Sequence, residues 1–209
     1  TNRTQSVLLA SSLEVYGTIT DDSTPLTEEA QGYLDPMAVR SSYPMAKRAA
    51  ETLCHDYAKE YGTHAKVARL AQTFGAGVAQ DDTRVFAQFA RSIIKGEDIV
   101  MHTKGELCRS YCYTTDAIAA MLYILLRGKD GEAYNVANET TYISIKDMAS
   151  FLAETFNPRV KVVVELKENM GYSPTTKLRL STDKVRQLGW TPQYDLQKMF
   201  HRLIESLKQ

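Results

Sequence analysis

The sequence predicts an α/β fold built on parallel strands. A short apolar run, Ser6 to Ala10 (SVLLA), reads as a strand buried on both faces of a sheet. Strand-like and helix-like segments then alternate through residues 1–150, the pattern of successive βα units. Composition, with 44% hydrophobic and 24% charged residues over 209 positions, is ordinary for a soluble globular protein.

The elements follow in order. Asp21 to Asp35 is rich in Asp, Thr, Pro and Glu and reads as a surface loop. The next helix carries Pro44 at its first position and Gly62 just past its end. Its apolar positions Ala46, Ala50, Leu53, Cys54 and Tyr57 fall on one face. Ala65 to Ala71 is the second strand, and Gly75-Ala76-Gly77 breaks the chain. Asp82 caps a helix over residues 83–95 that stops at Gly96. Ile99 to Met101 and Tyr111 to Tyr113 are short strands, Asp116 to Leu126 a helix and Ala133 to Ala137 a strand. Ser144-Ile145-Lys146-Asp147 resembles a capping box opening a helix to Phe156. Val160 to Leu166 is a strand, and two short helices flank Gly189-Trp190-Thr191-Pro192. No internal repeat or low-complexity tract is present.

Several function classes are excluded on charge and composition. Lys plus Arg number 25 and Asp plus Glu number 25, so no net field favours nucleic acid or a membrane surface. No apolar run reaches the roughly 18 residues of a membrane span, and no secretory leader is visible. The three cysteines, Cys54, Cys108 and Cys112, show no pairing pattern, which predicts a reducing, cytoplasmic setting. They and the scattered histidines lack zinc spacing, so no metal site is expected. The chain starts at Thr1 rather than Met and runs straight into a strand, as a fragment of a longer protein would.

Three segments carry chemistry. Ser11-Ser12-Leu13-Glu14-Val15-Tyr16-Gly17 leaves the end of the first strand, where ligands of parallel sheets bind. Ser12 offers a hydroxyl there and Glu14 an acid/base group. Tyr43-Pro44-Met45-Ala46-Lys47 sets a phenol and an ammonium four residues apart on one helix face, and an ammonium beside a phenol favours the phenolate. The same Tyr-x-x-x-Lys spacing recurs at Tyr142/Lys146 and Tyr194/Lys198, so spacing alone singles out nothing. Only the first pair follows a Ser-rich turn at a strand end. The third segment, Arg69-Leu70-Ala71-Gln72-Thr73-Phe74-Gly75, runs from the second strand into a turn.

Taken together, Ser-Ser-x-Glu-Val-Tyr-Gly, Tyr-x-x-x-Lys and Arg-x-x-x-Thr-Phe-Gly resemble the extended short-chain dehydrogenase/reductase family. The likeness is to its nucleotide-sugar epimerases, dehydratases and decarboxylases. Arg109 to Asp116, Tyr134-Asn135-Val136-Ala137 and Leu188-Gly189-Trp190-Thr191-Pro192 extend it over essentially the whole chain. The resemblance implies the C-terminal part of a Rossmann-like, doubly wound parallel sheet plus a smaller α/β substrate-binding domain. Residues 1–74, with 133–150 returning to the same sheet, would belong to the NAD-binding domain. Residues 75–132 and 151–209 would form the nucleotide-sugar-binding domain.

It also implies roles. Ser12, Tyr43 and Lys47 would be the catalytic triad, with Glu14 beside them. Ser11, Tyr43, Lys47 and Leu70 would meet NAD. Arg109 would hold the diphosphate of a nucleotide sugar, aided by Arg84 and by Gln72, which stands where the family usually has Asn. The Gly-x-x-Gly-x-x-Gly turn that receives the cofactor pyrophosphate is not in this sequence. Weak NAD binding by these residues alone, an open edge on the first strand, and association or disorder over residues 1–9 are therefore expected. The intact protein would be a homodimer.

Within the family, Ser12-Leu13-Glu14 and Arg40-Ser41-Ser42-Tyr43 resemble the UDP-glucuronate decarboxylase pattern, which implies decarboxylase-like chemistry. Dehydration of a dTDP-glucose type and UDP-glucose 4-epimerisation are the alternatives. Leu13 stands where dehydratases carry an Asp. A reading of another class is a non-catalytic module that binds a nucleotide sugar or a partner.

Overall fold

The computed structural model describes residues 5–167 and 175–209. Three parallel strands form the first sheet: β1 (Val7–Ser12), β2 (Ala65–Leu70) and β6 (Ala133–Val136), in the order β1-β2-β6. Successive strand residues point to opposite faces. Arg69 accordingly reaches Glu51 on helix α1 (Ser42–Tyr61), while Ala68 packs with Ala117, Ala120 and Ile124 of α3 (Thr114–Arg127). The two helices thus cover opposite faces of the sheet. Helix α3 lies on this sheet although it falls within residues 75–132.

A second sheet joins β3 (Gln72–Phe74), β5 (Cys108–Tyr113) and β7 (Asn138–Ser144), with β9 (Lys177–Leu178) also pairing β5. Strands β3 and β9 run parallel to β5, whereas β7 is antiparallel to it. A two-stranded parallel pair, β4 (Ile99–Met101) and β8 (Val162–Val164), completes the strands. Helices α2 (Val85–Lys95), α4 (Ile145–Phe156) and α6 (Leu196–Leu207) enclose the larger core. At its centre Phe74 stacks on Phe86 with ring centroids 4.4 Å apart. Burying an aromatic side chain of this kind contributes on the order of 1.5–3 kcal/mol. The short helix α5 (Asp183–Arg186) lies against β6.

Several expectations need correction. Strand β1 is not buried on both faces: Val7 is 43% exposed and Ala10 is exposed as well. The cause is its edge position, since among the described residues it pairs only with β2. Residues 1–4 of the stretch expected to associate or disorder lie outside the described residues, and Val7 to Leu9 form part of β1.

The apolar positions assigned to the inner face of α1 are largely outside, with Leu53 58% and Tyr57 53% exposed. The side turned to the sheet is instead carried by Pro44, Arg48 and Glu51, whose polar groups are satisfied internally. Gly62 ends this helix in the left-handed region at φ 66°, and its N–H bonds to the carbonyl of Tyr57.

Helix α2 begins at Val85 rather than 83, because the Asp82 carboxylate holds the N–H of Arg84 and not a group deeper in the helix. The expected strand at 160–166 shortens to β8, and α6 is a full twelve residues. Strands β3, β7 and β9 were not expected.

Among the described residues no helix is long and apolar enough to cross a membrane, and no group of three or more His, Cys, Asp or Glu is placed to hold a metal ion.

Candidate active site at the mouth of the parallel sheet

Strand β1 ends in a single 3-10 turn, Leu13 to Tyr16, capped by Ser12, whose Oγ accepts the N–H of Glu14 at 3.2 Å. Leu13 and Val15 are buried with Ala71, Ala137, Leu178 and Leu180. That anchoring turns Glu14, between them, into a cavity of about 510 Å3. Gly17 closes the turn at φ 69°, and a Cβ there would lie 2.5 Å from the carbonyl oxygen of Tyr33, so glycine is required.

The cavity gathers four of the residues expected at the site: Glu14, Gln72, Arg84 and Arg109. Their environments differ. Arg109, on β5, is only 9% exposed. Its Nη1 donates to the carbonyls of Cys108 (2.9 Å) and Thr176 (3.0 Å). It forms no ion pair among the described residues, and burial lowers its pKa. A guanidinium has five N–H donors, so most of its capacity is unspent and directed by carbonyls rather than cancelled by an acid. Arg84 is held differently. Its guanidinium forks onto Asp82 (2.6 Å at Nη2, 3.0 Å at Nε) and lies over the ring of Phe86. The Arg84 bond in turn lowers the Asp82 pKa.

Tyr43 and Lys47 stand at the cavity's flank. Ser41 and Pro44, on either side of Tyr43, line the cavity, whereas Ser12, Tyr43 and Lys47 do not. The Tyr43 side is open, with 48% of the residue exposed. Lys47 Nζ lies 5.7 Å from the Tyr43 ring centroid and donates to the carbonyl of Ala10 at 2.7 Å. The ammonium is thereby tied to the end of β1, two residues before Ser12. It keeps further N–H donors suited to the hydroxyls of a ribose.

The other two Tyr-x-x-x-Lys pairs serve packing. Tyr142 donates to Asp22 at 2.8 Å, and burial together with that carboxylate pushes its pKa up. Tyr194 packs on Tyr113 at 4.2 Å between centroids, and Lys198 pairs with Asp195.

The side chains of two residues expected at the cofactor are engaged within the sheet's own packing. The Ser11 hydroxyl is turned onto the Glu51 carboxylate and the residue is 4% exposed, because its strand position faces α1. Leu70 packs with the cluster under α3.

Behind the site lies a polar network that motif reading left without a role. Glu51 accepts a two-pronged bond from Arg69 (Nη2 at 2.7 Å, Nε at 3.0 Å) as well as the Ser11 hydroxyl. Arg69 Nη1 also meets the Tyr16 hydroxyl (3.1 Å) and the Glu28 carbonyl (2.6 Å), and Tyr16 donates to Asn135 at 2.7 Å. Burial opposes the charge on Arg69, but the Glu51 carboxylate outweighs it and raises its pKa. Burial raises the Tyr16 pKa to about 12, so Tyr16 is a structural phenol. The available signal was spacing: Glu51 lies one further turn along the helix face of Tyr43 and Lys47.

A parallel sheet with helices on both faces, with Glu14 and Arg109 in one cavity and the Tyr43/Lys47 helix at its flank, defines a Rossmann-like architecture. Residues 1–137 match the NAD dependent epimerase/dehydratase family. The chain belongs to that family. It is 31% identical over 192 residues to UDP-glucuronic acid decarboxylase 5 of Arabidopsis thaliana, covering 92% of this chain and 54% of that protein. It is 29% identical to UDP-glucuronic acid decarboxylase 1 of Xenopus tropicalis, with 95% and 46% covered. The chain thus spans about half the length of the curated relatives it matches. Its fold matches UDP-glucose 4-epimerase of Thermotoga maritima with a TM-score of 0.81 at 22% identity, covering 98% of this chain and 63% of that one. It also matches dTDP-glucose 4,6-dehydratase of Bacillus anthracis, solved with NAD, at a TM-score of 0.77 and 17% identity, with 97% and 61% covered.

Proposed function

We propose that the protein acts on a nucleoside-diphosphate sugar through a 4-keto intermediate, with decarboxylation of UDP-glucuronate as the reaction. The observation that carries this reading is Arg109: a buried guanidinium that forms no ion pair among the described residues, in a cavity that also receives Glu14 and adjoins the helix of Tyr43. A buried cation left unpaired is costly and is retained where an anion visits. A planar guanidinium suits a diphosphate.

Tyr43 takes the proton of the sugar C4 hydroxyl. Lys47, fixed on the Ala10 carbonyl, favours the phenolate form of Tyr43 that accepts this proton and offers its other N–H groups to the cofactor ribose. Bound NAD supplies the hydride acceptor for oxidation at C4. The C4 ketone then stands β to the C6 carboxylate, so the C5–C6 electron pair can pass into the carbonyl as CO2 departs. Glu14, which lines the cavity, relays the proton that C5 must gain. The proton held on Tyr43 would return to the C4 oxygen as a UDP-pentose forms, and with the hydride given back the cycle would be redox-neutral.

Two observations favour this reading over dehydration. The relatives with about 30% identity over most of the chain are named as UDP-glucuronic acid decarboxylases. Leu13, where a dehydratase acid would stand, is apolar and 2% exposed.

Incubation of the full-length protein with NAD and UDP-glucuronate tests the proposal. Release of CO2 with formation of a UDP-pentose is expected. Absence of both products, while UDP-glucose is epimerised or dehydrated, would overturn the decarboxylase reading.

A further inference from the structure

We infer that Arg40 is a specificity-determining residue, the cation that receives the carboxylate of a sugar acid at the reacting end of the cavity. The inference rests on the reading of the cavity as a nucleoside-diphosphate-sugar site.

Three arginines line this cavity, Arg40, Arg84 and Arg109, and Arg69 lies in the network behind it. Arg69 is held by Glu51 and Arg84 by Asp82. Arg40 and Arg109 have no carboxylate partner among the described residues, and both line the cavity. Their positions differ in kind. Arg109 is buried on β5, beside Thr176 of the far wall. Arg40 is exposed and lies just before α1, three residues ahead of Tyr43. The backbone between them is held down: the Ser41 hydroxyl bonds to the carbonyl of Asp35, and the Ser41 N–H bonds to the carbonyl of Ala38. Arg40 therefore sits at the end where Tyr43 meets the sugar, and Arg109 at the end left for the phosphates.

In a hexuronic acid the carboxylate hangs on C5, next to the carbon whose hydroxyl Tyr43 deprotonates. It must come to rest near the phenol. Among the described residues, the carboxyl side chains lining the cavity are those of Glu14 and Asp35, and both repel an incoming carboxylate. Asp35 is partly occupied, since its Oδ1 accepts the N–H of Met37. A sugar acid needs a compensating cation at this end, and a neutral hexose does not. Arg40 supplies that cation with a planar fork matched to a carboxylate. Selectivity then arises from a difference: a sugar acid gains an ion pair that a hexose lacks.

The test is calorimetry on the full-length protein at fixed ionic strength, with UDP, UDP-glucose and UDP-glucuronate as probes. The unaltered chain is expected to bind UDP-glucuronate roughly tenfold more tightly than UDP-glucose, a charge-assisted bond discounted for its exposed rim position. Arg40→Gln should bring the two sugars to equal affinity, and Arg40→Lys should keep part of the preference. An unaltered chain without the preference, or an Arg40→Gln variant that retains it, overturns the assignment. Failure of all three probes to bind the unaltered chain removes the cavity reading itself, and this assignment with it.

Discussion

Lys47 Nζ donates to the carbonyl oxygen of Ala10 at 2.7 Å, joining the helix that bears Tyr43 to the end of the strand that delivers Ser12 and Glu14. The bond places the ammonium by backbone geometry rather than by a carboxylate that would cancel its charge. Its consequence is separable from the phenol's. Tyr43→Phe should lower turnover by at least about a hundredfold, the usual contribution of a positioned acid/base, with little change in KM. Its stability should be nearly unchanged, because the residue is 48% exposed. Lys47→Met should lose turnover and also about 1 kcal/mol of stability through the Ala10 bond. Denaturant melts beside steady-state rates separate the two, and a Tyr43→Phe enzyme with near-normal turnover would remove it as the base.

Arg109 should show opposite effects on binding and stability. Its charge is buried without an acid partner, so Arg109→Met removes a desolvation cost while keeping much of the side-chain volume. The variant is expected to melt at the same temperature as the parent or higher. UDP-glucuronate affinity should fall by roughly a hundredfold, in keeping with loss of a buried charged contact. A variant that melts much lower would identify Arg109 as structural.

Glu51 and Arg69 should be coupled. Their side chains are 10% and 15% exposed and share a two-pronged bond. Breaking one partner of such a pair costs about 3–5 kcal/mol. Glu51→Gln and Arg69→Met should each destabilise strongly, and the double variant by less than the sum of the two. Additive losses in a double-mutant cycle would show that the pair is not a unit.

Glu28 gives a pH dependence. Burial raises its pKa above the ordinary 4.5. The folded state therefore binds this proton more tightly than the unfolded chain does. The corresponding stability is fully present below about 4.5 and is lost as pH rises through the raised folded value. Glu28→Gln cannot ionise and keeps an acceptor for the N–H of Asn135. Relative to the parent, it should gain stability as pH climbs through that window. Thermal melts giving parallel curves for the two proteins would contradict the assignment.

How much of this was legible depends on the kind of residue. Strands β2 and β4 and helices α3 and α4 follow from apolar periodicity and caps. The Ser144 cap, for instance, accepts the N–H of Asp147 as its spacing implies. Helix α1 misled because its apolar residues face outward while its buried face carries Arg48 and Glu51. A polar residue satisfied inside looks, in sequence, like one solvated outside. Strand β7 was missed because Asn138 to Ser144 is polar and earns its place through ladder bonds to β5.

At the site, motif order singled out Glu14, Gln72, Arg84 and Arg109, which share the cavity, as well as Tyr43 and Lys47 at its flank. Asp116 illustrates a different limit. It was visible as part of a motif, yet its carboxylate caps the N–H groups of Gln193 and Tyr194, and its carbonyl accepts Trp190 Nε1. Its work is to hold the Gly189 to Pro192 turn, a long-range partnership that no local pattern announces.

A crystal structure of the protein bound to UDP-glucuronate tests the central claim most directly. The account predicts the diphosphate within hydrogen-bonding distance of Arg109 and the C4 hydroxyl facing Tyr43. A nucleotide sugar bound elsewhere, or lying in the cavity with its phosphates away from Arg109, would contradict it.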